Sequence, residues 1–194
     1  MPCDKIRSRM HRFEKILLWI LRLGLILTLF TPLVYHNGFF FPYIIPRAVY
    51  FQIITEILFA GAITLIAFFP NHRPRWTHLS LAIFVYLAIA GLTTLTSVDP
   101  SKSFIGTIER SFGFFQLLHF GMLFFAASIT LKKPSEWNAI LGISLGISLY
   151  AALDLFIPMM TTSVARPPTV AGNPIFLAAY LIFHLFFAAY FFTQ

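Results

Sequence analysis

Six apolar runs, each about 20 residues long, constrain this chain more than any other feature. An α-helix needs roughly 20 apolar residues to cross a bilayer, and in lipid the peptide groups must be satisfied within each segment, which predicts helices. Only 11% of the 194 residues are charged, too few to cover the surface of a soluble domain. The predicted fold is all-α, a polytopic transmembrane helical bundle with about six spans, at about 16–35, 48–69, 77–97, 112–130, 137–158 and 173–192.

Lysine and arginine are distributed unevenly between alternate loops. Five lie in a basic tail at 1–15, two in loop 70–76 and two in loop 131–136, whereas the alternate loops carry four, namely Arg47, Lys102, Arg110 and Arg166. Because basic residues accumulate on the cytoplasmic side, the N-terminus is predicted to be cytoplasmic. We therefore attribute the net charge of +7 to the basic residues that orient the chain in the lipid bilayer. No nucleic-acid partner is predicted, since no groove-reading motif accompanies the charge.

The three loops predicted to face outward carry most of the unusual sequence. In the first, four aromatic residues beside Asn37-Gly38 fit either an interfacial anchor or a rim around a lipid-accessible site. In the second, Asp99 and Pro100 form a helix start. The apolar residues that follow, at helical spacing, predict a short amphipathic helix on the outer surface before span 4, with a plain connector as the alternative.

The third outer loop predicts an anion site. Asn173 can cap the sixth span and Pro174 can open it, so that the positive end of the helix dipole faces outward. Arg166 lies a few residues upstream and has a guanidinium suited to phosphate. A simple capped helix with an arginine at its rim is the competing interpretation.

Three ionisable residues lie within predicted spans. At ~1.5 Å per residue, Glu56, His119 and Asp154 lie ~12, ~10 and ~6 Å below the outer boundary. Such groups are costly in a membrane and need a partner or water. Their shared depth predicts a polar cavity in the outer half, with individual structural hydrogen bonds as the alternative.

No metal-binding spacing, nucleotide loop or catalytic triad is recognisable. The single cysteine, Cys3, excludes a CxxC site, and no HExxH or Walker motif occurs. We therefore predict no metal and no cofactor, and the sequence identifies no catalytic nucleophile.

Residues 166–181 resemble a known signature. The stretch from Arg166 through Gly172-Asn173-Pro174 to Leu181 is similar to the R…GNPxxLAxYL motif of the O-antigen ligase and polymerase family of bacterial inner-membrane proteins. Two further stretches resemble that family: 40–52 together with Glu56, and 97–113.

The resemblance implies a membrane glycosyltransferase in lipopolysaccharide biosynthesis at the cell envelope. Such an enzyme moves a saccharide from an undecaprenyl-diphosphate carrier to a periplasmic acceptor, such as lipid A-core or another glycan. By resemblance, Arg166 would bind the diphosphate, with Arg110, Arg47 and Asn173 as further candidates.

Family members have about ten to fourteen spans and a later periplasmic loop with a catalytic histidine. We therefore expect 16–194 to be the N-terminal half of a longer protein, so whether these residues alone form an enzyme is left open. The alternatives are a small transporter or flippase component and a non-enzymatic membrane subunit.

Overall fold

The chain folds into seven α-helices in the part that the structure, a computed structural model, describes. The described residues are 2–74, 76–107, 112–161 and 169–193, with the side chains of 2–6 excepted. The helices are α1 (Pro2–Leu29), α2 (Ile45–Phe68), α3 (His78–Leu95), α4 (Pro100–Ile105), α5 (Phe114–Thr130), α6 (Pro134–Thr161) and α7 (Pro174–Phe192). The described residues form no named strand, so the all-α prediction is confirmed.

Four of these helices, α2, α3, α6 and α7, are long and apolar enough to cross a membrane. Helix α5 is apolar but has only 17 residues. Helix α1 has 28 residues, but its apolar part, 16–29, has only 14 of them and contains Arg22. It also ends at Leu29, before the predicted boundary at 35. Pro32 disfavours the α conformation in the residue before it, and Thr31–Leu33 form a 3₁₀ turn.

The helices belong to two compact units. Unit 1 comprises Met1–Thr28 and Ala48–Lys132, and unit 2 comprises Leu29–Arg47 and Lys133–Gln194. In unit 1, α1 and α2 approach closely through glycines. A Cβ on Gly24 would lie 2.5 Å from the Leu58 side chain, and one on Gly61 would lie 3.0 Å from Leu21. Leu21, Leu58 and Leu65 are fully buried there.

Helix α4 of unit 1 has only six residues. It begins where the sequence predicts, because the Asp99 side chain accepts a hydrogen bond from the Lys102 amide at 3.0 Å. It ends at Gly106, whose φ of +88° is left-handed. This conformation suits glycine and does not continue a right-handed helix. The location of α4 on an outer membrane surface stays a prediction.

Unit 2 is built on the packing of α6 against α7. Ala151, Ala171 and Leu177 form its buried apolar cluster. Helix α6 continues through Pro158 to Thr161, beyond the predicted boundary at 158. Between the two helices, Ser144 hydrogen-bonds His184 Nε2 at 2.8 Å, which satisfies two buried polar side chains.

A polar contact joins α1 to the turn between α2 and α3 in unit 1. The Nε2 atom of His72 lies 2.7 Å from the Glu14 carboxylate, and the carboxylate accepts this hydrogen bond. The bond from His72 is the main reason that the pKa of Glu14 lies below its ordinary value of 4.5, and His11 contributes a weaker bond.

This contact predicts an acid-dependent loss of stability. Because the pKa of Glu14 is lowered by folding, its contribution is fully present above pH 4.5 and is lost as the pH falls through the lower folded value. We expect Glu14→Gln to remove this part of the pH dependence, measured as the thermal unfolding midpoint in detergent from about pH 6 to about pH 3. If the unfolding midpoint of Glu14→Gln falls with decreasing pH as steeply as that of the parent protein, the assignment is contradicted.

Candidate functional site

The start of α7 is set by Asn173 and Pro174. Asn173 has an extended backbone, and its side-chain oxygen accepts from the Ile175 amide at 3.0 Å, while Pro174 occupies the first turn. The predicted cap is confirmed. The Asn173 carbonyl also accepts from the Phe176 amide at 3.0 Å. The first turn is therefore closed mainly by Asn173 itself, rather than left with unpaired amides for a ligand.

A tight turn, Thr169–Gly172, precedes this cap in unit 2. The Gly172 amide donates to the Thr169 carbonyl at 2.7 Å, and Gly172 has a φ of +82°. A Cβ at Gly172 would lie 2.9–3.2 Å from ring atoms of Tyr43. The turn therefore requires glycine for two reasons, its left-handed backbone and the close approach of the Tyr43 ring.

Two side chains of opposite charge bind the N–H group and the carbonyl of Val170. The Asp154 carboxylate accepts from the Val170 amide at 2.7 Å. The Arg47 guanidinium donates to the Val170 carbonyl, to the Ala171 carbonyl at 3.2 Å and to the Val34 carbonyl at 3.0 Å. Arg47 thus ties the first predicted outer loop to the turn, using three of its five N–H groups.

We call this arrangement the turn site, comprising Tyr43, Arg47, Asp154 and the segment 169–173. A cavity of about 230 Å³ adjoins it, lined in part by Arg47, Gly172 and Asn173. The Tyr43 ring faces the Arg47 guanidinium at 5.4 Å and stacks on Tyr35 at 5.9 Å. A half-buried guanidinium, an amide and the N-terminal end of α7 therefore border one small space. The rest of the lining is largely apolar and includes Phe41, Ile44 and Phe176, so attraction of an anion to this space depends on Arg47, Asn173 and the α7 dipole.

The predicted site residues separate into groups. Arg47 and Asn173 are brought together, and Asp154 joins them by binding Val170. Glu56 and His119 belong to unit 1, whereas Asp154 belongs to unit 2. Arg110 and Arg166 lie outside the described residues. The binding of a diphosphate by Arg110 and Arg166 stays a prediction. The polar cavity that Glu56, His119 and Asp154 were expected to line in the outer half of the membrane also stays a prediction.

Glu56 and His119 form a pair between α2 and α5. Their Oε1 and Nε2 atoms lie 3.1 Å apart, with His119 buried and Glu56 58% exposed. His119 Nδ1 must donate to the Phe115 carbonyl, 2.7 Å away, because a carbonyl only accepts. One turn earlier, Gln52 donates to Gln116 at 2.9 Å.

The contribution of Tyr43 to the turn site was missed by the sequence analysis, which considered it only as part of an aromatic belt. The signal available was a glycine directly before an Asn-Pro helix start, since such a glycine often marks a close approach. What the glycine approaches is 129 positions away in the chain, and no local pattern specifies that partner.

The chain has no match among family models, curated proteins or solved structures. The described residues also contain no cluster of three or more potential metal ligands.

We predict that Gly172→Ala destabilises unit 2. The left-handed backbone and the Tyr43 ring together should cost ~1–3 kcal/mol. Gly142→Ala is the matched control, because a Cβ there meets nothing within 4 Å and alanine favours the α6 helix by ~0.5–1 kcal/mol. Thermal unfolding in detergent should lower the midpoint only for Gly172→Ala, and equal midpoints would refute the steric argument.

For the Glu56–His119 pair, we predict different effects of two substitutions. Glu56→Gln retains a donor for His119 Nε2, whereas Glu56→Ala leaves that buried nitrogen unpaired, at ~1–3 kcal/mol. Unfolding midpoints should therefore fall more for Glu56→Ala than for Glu56→Gln. Equal losses would show that the shared hydrogen bond contributes nothing to stability.

Proposed function

We propose that this chain belongs to a polytopic membrane glycosyltransferase of the O-antigen-ligase type, and that its turn site binds the diphosphate of an undecaprenyl-linked saccharide. The proposal includes six spans, with α1 and α5 as the first and fourth, a cytoplasmic N-terminus and a periplasmic turn site in a bacterial inner membrane. The acceptor would be lipid A-core or another glycan.

One observation carries the proposal. Two stretches that resemble the family, 40–52 and 166–181, meet at the turn site through the bonds from Arg47 to Val170 and Ala171. The two bonds join residues that are 123 and 124 positions apart in the chain, so they do not arise from closeness in the sequence. It supports the interpretation of these stretches as parts of one binding site rather than as two separate membrane anchors.

The charges at the turn site suit a departing diphosphate. In the proposed transfer, an acceptor hydroxyl attacks the anomeric carbon, the bond from that carbon to the diphosphate oxygen breaks, and negative charge develops on the carrier. Arg47 has two N–H groups not engaged by the described residues, and the α7 dipole adds positive potential. Groups fixed in place before the reaction stabilise such a charge most effectively. The hydroxyl proton passes to a base, which the family resemblance places on a histidine in a later periplasmic loop.

We predict that Asn173→Asp weakens diphosphate binding without disrupting the fold. Aspartate caps a helix as well as asparagine does, but it adds a negative charge at the cavity, which should weaken undecaprenyl diphosphate binding by at least about tenfold. Asn138→Asp is the matched control. It adds the same charge on α6, ~24 Å along the helix from Asp154, and it keeps an acceptor for the Tyr190 hydroxyl.

Binding is measured on the chain in lipid nanodiscs, with undecaprenol as the uncharged comparison. The same variants are then assayed for saccharide transfer in membranes that contain the protein. Undecaprenol binding as tight as that of the diphosphate, or normal transfer by Asn173→Asp, would rule out the turn site as the diphosphate site.

A further inference from the structure

Unit 1 contains an apolar groove formed by α2, α3 and α5. The groove encloses about 410 Å³, and its walls include Phe84, Leu87, Leu118 and Met122. Helix α3 has no buried residue, although it is apolar enough to span a membrane. The described chain therefore leaves this face of α3 to be covered by another molecule.

A polar cavity adjoins the groove. It measures about 470 Å³, and its lining includes Asn71, Thr77, Ser80, Ser128 and Lys132. Ser80, Phe124 and Ser128 line both spaces, so the two are continuous. The apolar groove thus leads directly into a pocket of hydroxyl and amide groups.

Positive charge in the polar cavity comes from Lys132 and from the start of α3. Lys132 donates to the Asn71 carbonyl at 3.2 Å, which positions its ammonium group in the cavity wall. Helix α3 begins beside it, where Thr77 accepts from the Ser80 amide at 3.1 Å, and the N-terminal end of the α3 dipole is positive. Two independent sources of positive potential therefore meet at the polar end of the groove.

We propose that unit 1 binds one anionic membrane phospholipid in this composite groove. The phosphate lies against Lys132 and the first turn of α3, and an acyl chain lies along Phe84, Leu87 and Met122. A hydrocarbon chain joined to an anionic headgroup matches both parts of the groove. A docked apolar helix would fill only one part and leave the Lys132 cavity empty.

The test uses Trp76, which lines the apolar groove. The chain has three tryptophans, and replacing Trp19 and Trp137 by phenylalanine leaves Trp76 as the only emitter. The protein is reconstituted with phosphatidylglycerol or phosphatidylcholine bearing brominated acyl chains, which quench nearby indole fluorescence. We expect stronger quenching by brominated phosphatidylglycerol at equal mole fraction.

Lys132→Gln should lower that preference about fivefold, the effect of one lysine near an anionic lipid surface. Lys133→Gln is the matched control, because Lys133 is the adjacent lysine and does not line either cavity. Its preference should equal that of the parent protein.

Ser128→Phe tests the apolar part. Ser128 lies where the two cavities join, and its hydroxyl bonds the carbonyl of Phe125 in its own helix, so a larger side chain fills the groove. Quenching by both lipids should fall. Equal quenching by the two lipids in the parent protein, or equal losses in Lys132→Gln and Lys133→Gln, overturns the proposal. Groove occupancy that depends on protein concentration rather than lipid identity also overturns it, in favour of a second copy of the chain.

Discussion

Every peptide group in a lipid-embedded chain must find its hydrogen-bond partner within the protein. Helices meet this requirement along their length, but each connection between them exposes groups that must be satisfied by other means. The turn site shows how one connection is handled. The amide and carbonyl of Val170 are bound by two side chains of opposite charge, Asp154 and Arg47, which do not need to contact each other.

The same requirement explains why Arg47 is primarily a structural residue. Three of its N–H groups donate hydrogen bonds to backbone carbonyls of two loops. A lysine would offer one ammonium group, without the planar guanidinium that reaches several acceptors at once. Any ligand at the turn site would use the remaining donors of a guanidinium that is already held in position. A preorganised group of this kind loses less freedom when it binds.

Local features of this fold could be predicted from the sequence, and long-range ones could not. Asp99-Pro100 and Asn173-Pro174 mark helix starts because a cap and a proline act within one turn. The depth of Glu56 and His119 indicated that each needs a partner, but only the packing of α2 on α5 shows that they satisfy each other. Asp154 had a similar predicted depth, yet its partner is a loop amide 16 positions along the chain. Periodicity indicates where a group lies along its helix, but not what lies opposite it.

Pro158 gives α6 a built-in weak point. A proline has no N–H group, so the carbonyl four residues earlier, that of Asp154, receives no bond from it within the helix. The Asp154 side chain that binds Val170 therefore stands where the helical ladder is interrupted. The stretch around Pro158 is therefore the part of the described α6 that bends at the least cost. The carboxylate that anchors the turn therefore lies one helical turn before the position where α6 bends most readily.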